Sequence, residues 1–214
     1  ATPYEPYVGG VASPNPDYPQ NVQVATGTQT VTLSDGVNTE DYTVNLGSIE
    51  LYKIGTYQDN IYKSGDDWYV HKETNKHTFT GSENWYLQTS GTPSILYCGS
   101  GVLSDAINSA VKTQIYSDYF HYTTGSEVGG CYLYNRSVFV FYGDTSTTAS
   151  TFKTWLGNNN TSVYYPIATS TNTIITDNTL ITQLEAVNEW ATRYGYNVTI
   201  TGNLPIILTQ TPLT

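Results

Sequence analysis

The sequence predicts an all-β chain, a β-sandwich of jelly-roll type with one clear helix and one or two short ones. Three observations carry this. At least ten short runs alternate apolar and polar residues with the two-residue period of a half-buried strand. Those runs are rich in β-branched and aromatic residues, including most of the 20 Tyr, which fit a pleated surface. The length, 214 residues, suits one all-β domain, or at most two small ones.

Taken in order, residues 1–20 hold five of the nine prolines, Pro3, Pro6, Pro14, Pro16 and Pro19. Proline fixes φ and removes a donor, so this segment is expected to be an extended linker or edge piece. Residues 21–214 are expected to form a single module. In NVQVATGTQTVTLSD, Val22 and Val24 precede a turn at Gly27, and Val31 and Leu33 follow it. The runs DYTVNLGSIELYKIG and NIYKSGDDWYVHKE continue the pattern, the second as a hairpin turning at Ser-Gly-Asp-Asp. Further strands are expected in HTFTG, SILYCG, SDYFHYTT, CYLYNRSVFVFYG, TSVYYPIA, TNTIITD and YNVTITGNLPIILTQT.

Three stretches break the alternation. Leu180, Leu184, Val187 and Ala191 recur at helical spacing, with Asp177 or Asn178 to cap the start and Gly195 to end it. STTASTFKTWLGNN reads as a short helix with Phe152, Trp155 and Leu156 inward and Gly157 at its end. LSDAINSAVKTQI is read as another.

Charge narrows the partners. Eight basic and 18 acidic residues give a net charge of −10, which repels nucleic-acid phosphates and anionic membranes. No apolar run approaches the ~20 residues that span a bilayer. Charged residues are only 12%, so the surface is dominated by neutral hydroxyls and amides, which suit a neutral, hydroxyl-rich partner. The absence of methionine leads us to expect a mature fragment or a domain excised from a larger protein. Cys98 and Cys131 are expected to be free buried thiols rather than a disulfide. No metal or cofactor is expected: there is no Cys-x-x-Cys, the three His are scattered, and the calcium-loop spacing of Asp residues is missing.

Several stretches resemble one family. YEPYVGG, SPNPDYPQ, VATGTQTVTL, NLGSIELYKIGTYQDNIYKSGDDWYVHKE, GSENW, TFKTWLGNNNTSVYYPIAT and VTITGNLP are similar to minor structural proteins of phages infecting Gram-positive bacteria. The resemblance is to the carbohydrate-binding modules of tail-tip and evolved distal tail proteins of lactic-acid-bacterial phages, and it covers about residues 4–208. It implies a jelly-roll-like sandwich in the virion tail that binds host cell-wall saccharide during adsorption. It carries over no residue-by-residue site.

The site must therefore be argued from chemistry. A sugar ring offers an apolar C–H face to an aromatic ring and hydroxyls to Asp, Asn, Gln, His or Arg. Tyr and Trp supply that area at low entropic cost. Trp68, Trp155 and Trp190 read as core from their spacing. Trp85, beside Glu83 and Asn84 at a loop-to-strand junction, is a candidate platform, with a core role as its alternative. In SDYFHYTT, an inward Phe120 and Tyr122 would leave Tyr119 and His121 outward, with Asp118 as an acceptor. Arg136 is a candidate hydroxyl donor, or half of an ion pair. The carboxylates Asp66, Asp67, Glu73, Glu83, Asp105 and Asp118 show no pairing that singles out a hydrolase, and no catalytic motif is present. The expected function is non-catalytic binding of wall polysaccharide, alongside other modules of the same tail protein. A spacer domain that binds no sugar is the rival.

Overall fold

The computed structural model describes residues 23–194, 199–201 and 204–207. The proline-rich segment 1–20 and Gly195 lie outside the described residues. In chain order the strands begin with β1 Gln23–Ala25, β2 Thr28–Ser34, β3 Thr39–Asn45, β4 Leu51–Ile54, β5 Tyr57–Gln58, β6 Asn60–Ser64, β7 Asp67–Thr78, β8 Trp85–Thr89 and β9 Ser94–Cys98. They continue with β10 Tyr116–Ser117, β11 His121–Tyr122, β12 Gly130–Tyr134 and β13 Ser137–Tyr142. Helix α1 Ala149–Asn159, strand β14 Ser162–Ile174, helix α2 Asn178–Tyr194, β15 Thr199–Thr201 and β16 Ile206–Ile207 complete the chain. Among the described residues, strands make up 46% and helices 16%, so the protein is mostly β, as an all-β sandwich requires.

The module expected over residues 21–214 divides into two compact units. Among the described residues, the first unit holds Ile54–Tyr57 and Glu73–Thr169, and the second holds Gln23–Lys53, Gln58–Lys72 and the residues from Ser170 on. The long strands β7 and β14 each contribute residues to both.

In the first unit, the sheet β11-β12-β13-β9-β8 supplies one wall of the core. Leu96, Cys98, Cys131, Leu133, Val138 and Val140 point inward from it. Val163 and Tyr165 of β14 and Phe152 and Leu156 of α1 fill the rest. Both cysteines are free. They sit on β9 and β12, which are separated by β13. Strands two places apart lie ~9–10 Å from each other, too far for a disulfide.

Local chemistry sets α1. Thr148 caps it, accepting from the Thr151 N–H while the Thr151 hydroxyl accepts from the Thr148 N–H. The helix runs past Gly157, the expected stop, and ends at Asn160 in the left-handed region (φ 41°). Gly157 is used differently: a Cβ there would sit 3.1 Å from the Thr80 carbonyl oxygen.

The helix expected in LSDAINSAVKTQI is absent; turns and isolated bridges stand in its place. Its backbone is spent on neighbours instead of on i→i−4 bonds. Ala106 bridges Ile167, Thr113 bridges Leu133, and the Ile107 N–H donates to Pro166. SDYFHYTT is also not one strand. It forms the two-residue β10 and β11 with a bend between them. In contrast, TSVYYPIA and TNTIITD join into the single strand β14.

In the second unit, α2 buries Leu180, Leu184, Val187, Trp190 and Ala191 against Val31, Leu33 and Val44 of the β2–β3 hairpin. Each buried aliphatic side chain contributes roughly 1.5–3 kcal/mol. Asp177 caps α2, its Oδ1 accepting from the Thr179 and Leu180 N–H groups at 2.8 and 3.2 Å. The β6–β7 hairpin turns at Gly65 with φ 62°. Trp68 points into this core and donates its indole N–H to Glu185 at 2.9 Å. Asp59, fully buried, accepts from the Tyr52 N–H at 2.9 Å and pairs with Lys72 at 2.5 Å.

Candidate functional site

Strand alternation sorts the residues of the five-stranded sheet onto two faces. Leu96, Cys98, Val138 and Val140 are fully buried, so Tyr97 and Phe139 take the other face. The antiparallel register then sets Tyr86 beside Tyr97, Tyr97 beside Phe139, and Phe139 beside Tyr132. The rings stack in that order across β8, β9, β13 and β12. Their centroids are 5.2, 5.3 and 5.0 Å apart, with interplanar angles of 27°, 20° and 4°.

Ring carbons need roughly 3.5–4.0 Å of clearance. Near-parallel rings at these spacings are therefore slipped stacks, not coplanar tiles. Tyr97 and Phe139 have a partner on each side. Lys112 closes the far end, its Nζ 4.6 Å from the Tyr132 centroid. Burial and then the neighbouring Tyr134 push the Tyr132 phenol up.

Tyr86 ends the ladder on β8, the edge strand of this sheet among the described residues. It stacks on Tyr97 and is 48% exposed. Beside it opens a cleft of about 560 Å³, lined also by Ser82, Glu83, Asn84, Ser100 and Val102. An aromatic ring thus meets hydroxyls, an amide and a carboxylate in one concavity.

The loop that carries Glu83 is tightly held. Glu83 accepts from the N–H groups of Thr80 and Gly81 at 2.8 and 2.9 Å. Burial alone would raise its carboxyl, but these bonds and the Thr80 hydroxyl together hold it below the ordinary value. It is a fixed, ionised acceptor. His77 lies 3.5 Å away through Nε2. Gly81 has φ +80°, and a Cβ there would fall 2.1 Å from the Lys153 carbonyl oxygen, so the loop lies directly on α1.

The residues expected from sequence fall elsewhere. Trp85 is a correction. It is 5% exposed and packs edge-on against Phe79 and Phe152 at 5.1 and 4.8 Å. Its cross-strand partner is the buried Cys98, so it faces the core and cannot present a platform. Tyr119 is half-buried: its ring packs edge-on against Trp155 at 4.5 Å and Phe120 at 5.1 Å, resting on the core rather than standing fully outward.

Asp118 serves the backbone: its Oδ1 accepts from the Ser162 N–H at 2.7 Å, and burial raises its carboxyl despite that bond. His121 is only half-buried and lies 3.4 Å from Glu127 through Nε2. Arg136 occupies the left-handed region (φ 62°) beside Asn135 (φ 48°) in the β12–β13 turn. Trp85 and Tyr119 border one aromatic cluster, linked through Phe152 and Trp155.

Sequence reasoning passed over Tyr86, Tyr97 and Phe139. The signal was present in part, because GSENWYLQ, SILYC and NRSVFVFY each place an aromatic opposite a core residue. Which strands would be neighbours, and in what register, was not. Among the described residues, no group of three or more His, Cys, Asp or Glu side chains could hold a metal ion. Comparison with protein families, with curated proteins and with solved structures finds no match to this chain.

Proposed function

We propose that the chain is a saccharide-binding module of a phage tail that attaches to host cell-wall polysaccharide and catalyses nothing itself. The observation that carries this reading is the aromatic ladder ending at Tyr86 beside a polar cleft. A sugar ring placed there would lay its C–H face on Tyr86 and give its hydroxyls to Glu83, Asn84 and Ser100. Glu83 is the one carboxylate among the residues lining the cleft. Glycoside hydrolysis uses two, so this lining favours binding over bond cleavage. The resemblance to phage tail modules supplies the biological setting.

The spacer reading also has an observation in its favour. Cross-strand aromatic pairs stabilise a sheet whether or not they touch a ligand. A fluorescent fusion of the chain on Gram-positive cells separates the two. The expected result is labelling that purified wall polysaccharide abolishes and that Tyr86→Ala weakens. Absence of labelling on every host, even with the chain displayed in many copies, would establish the spacer.

A further inference from the structure

The β6–β7 hairpin of the second unit carries chemistry that its core role does not use. Ile61, Trp68 and Val70 point into the core. Alternation sends Asn60, Tyr62, Tyr69 and His71 to the opposite face, and all four are half-buried. The register makes Tyr62 the partner of Tyr69 and Asn60 the partner of His71. Two rows result. In the first, the Tyr62 and Tyr69 rings stack at 5.4 Å and 19°. In the second, His71 bonds Asn172 of β14, Nδ1 to Oδ1 at 2.7 Å, and lies opposite Asn60.

The rows touch, since the His71 ring meets Tyr62 edge-on at 6.5 Å. Asn60 also lines a cavity of about 200 Å³ with Gln58, Pro205 and Ile206. An aromatic pair therefore borders a row of two amides and an imidazole, with a third amide, Gln58, in the adjoining cavity. None of the side chains in these rows or lining this cavity is a carboxylate, ammonium or guanidinium. Of the hairpin's charged side chains, Lys63 pairs with Glu185 and Lys72 with Asp59, while Asp67 and Glu73 alternate onto the same face as the rows, at their two ends.

We infer that this face is a second saccharide site, separate from the Tyr86 cleft, that takes a neutral oligosaccharide. The ligand class follows from the lining. Phenol rings accept a C–H face, amides and imidazole both donate to and accept from hydroxyls, and the carboxylates Asp67 and Glu73 that flank the rows on this face turn away an anionic ligand. The chain then binds saccharide through two sites, one in each unit.

The test is an NMR titration of the whole chain with neutral four- to six-residue fragments of Gram-positive wall polysaccharide. Signals of Asn60, His71 and Asn172 should shift on addition, and they should shift equally in Tyr86→Ala. Tyr62→Ala should weaken that response about tenfold while the signals of Asn84 and Ser100 still respond. His71→Ala, which leaves both stacked rings in place, should weaken it severalfold and guards against a folding defect in Tyr62→Ala. A response confined to the Tyr86 cleft overturns the second site and leaves the first standing. Loss of the Asn60, His71 and Asn172 shifts in Tyr86→Ala also overturns it, because one site then accounts for all binding. Silence at both sites removes both readings.

Discussion

Trp85 and Tyr86 are adjacent on β8 and have opposite roles. Trp85 fills a space between Phe79 and Phe152, whereas Tyr86 stands 48% exposed at the mouth of the cleft. Removing a buried indole forfeits its transfer energy and leaves a cavity, so Trp85→Ala should cost about 3–5 kcal/mol by denaturant unfolding. Tyr86→Ala should change stability by about 0.5 kcal/mol or less and weaken saccharide binding about tenfold. The reverse pattern would place the ligand elsewhere. Asp118 gives a residue-scale test in pH. Burial raises its folded carboxyl above the ordinary aspartate value of 3.8. The stability it contributes is therefore present below that value and lost as pH rises through the folded one. Asp118→Asn keeps an oxygen for the Ser162 N–H and removes the titration. The variant should match the parent in denaturant midpoint near pH 3 and exceed it near pH 7. Equal midpoints throughout would mean that Asp118 is better solvated than its burial implies.

Among the elements, the 79–84 loop and α1 form a pair whose fit decides the cleft. Gly81 and Gly157 are points of close approach between them, and the loop positions Glu83 by hydrogen bonds from its own backbone. Gly81→Ala is disfavoured twice, by a φ of +80° and by a Cβ 2.1 Å from the Lys153 carbonyl oxygen. It should lower stability by about 2 kcal/mol or more and also weaken binding, because relieving the clash displaces Glu83. A Gly81→Ala protein that is destabilised but binds normally would show that Glu83 contributes nothing to the site. The cap of α2 and the turns of the hairpins were readable locally: Asp177 caps α2, and Gly27 and Gly65 turn the chain at positive φ. Local signals misled where backbone groups found distant partners, as in the stretch after Leu103, where Ala106 bridges to β14 and Thr113 to β12 instead.

At the scale of the molecule, period-two alternation identified most strands and the all-β class, because alternation reports burial on one face and needs no knowledge of neighbours. The binding surface was not legible for the complementary reason. A ladder is a property of register among four strands, and the strands that carry Tyr86, Tyr97, Phe139 and Tyr132 span residues 85–142 of the chain. Trp85 drew attention as the larger ring beside polar residues, yet a one-residue difference on a strand exchanges core for surface. Composition speaks at this scale too. A net charge of −10 with only 12% charged residues leaves little basic surface to be drawn to an anionic cell wall. If attachment rests on aromatic rings and hydrogen bonds to a neutral saccharide, added salt has almost nothing to screen. Labelling of cells by the fluorescent chain should then change less than twofold between about 0.05 M and 0.5 M sodium chloride, a range over which the Debye length falls from about 14 to about 4 Å. A steep loss of labelling would instead place the few lysines, Lys112 first among them, in contact with wall anions, and the neutral-saccharide reading would fail with it.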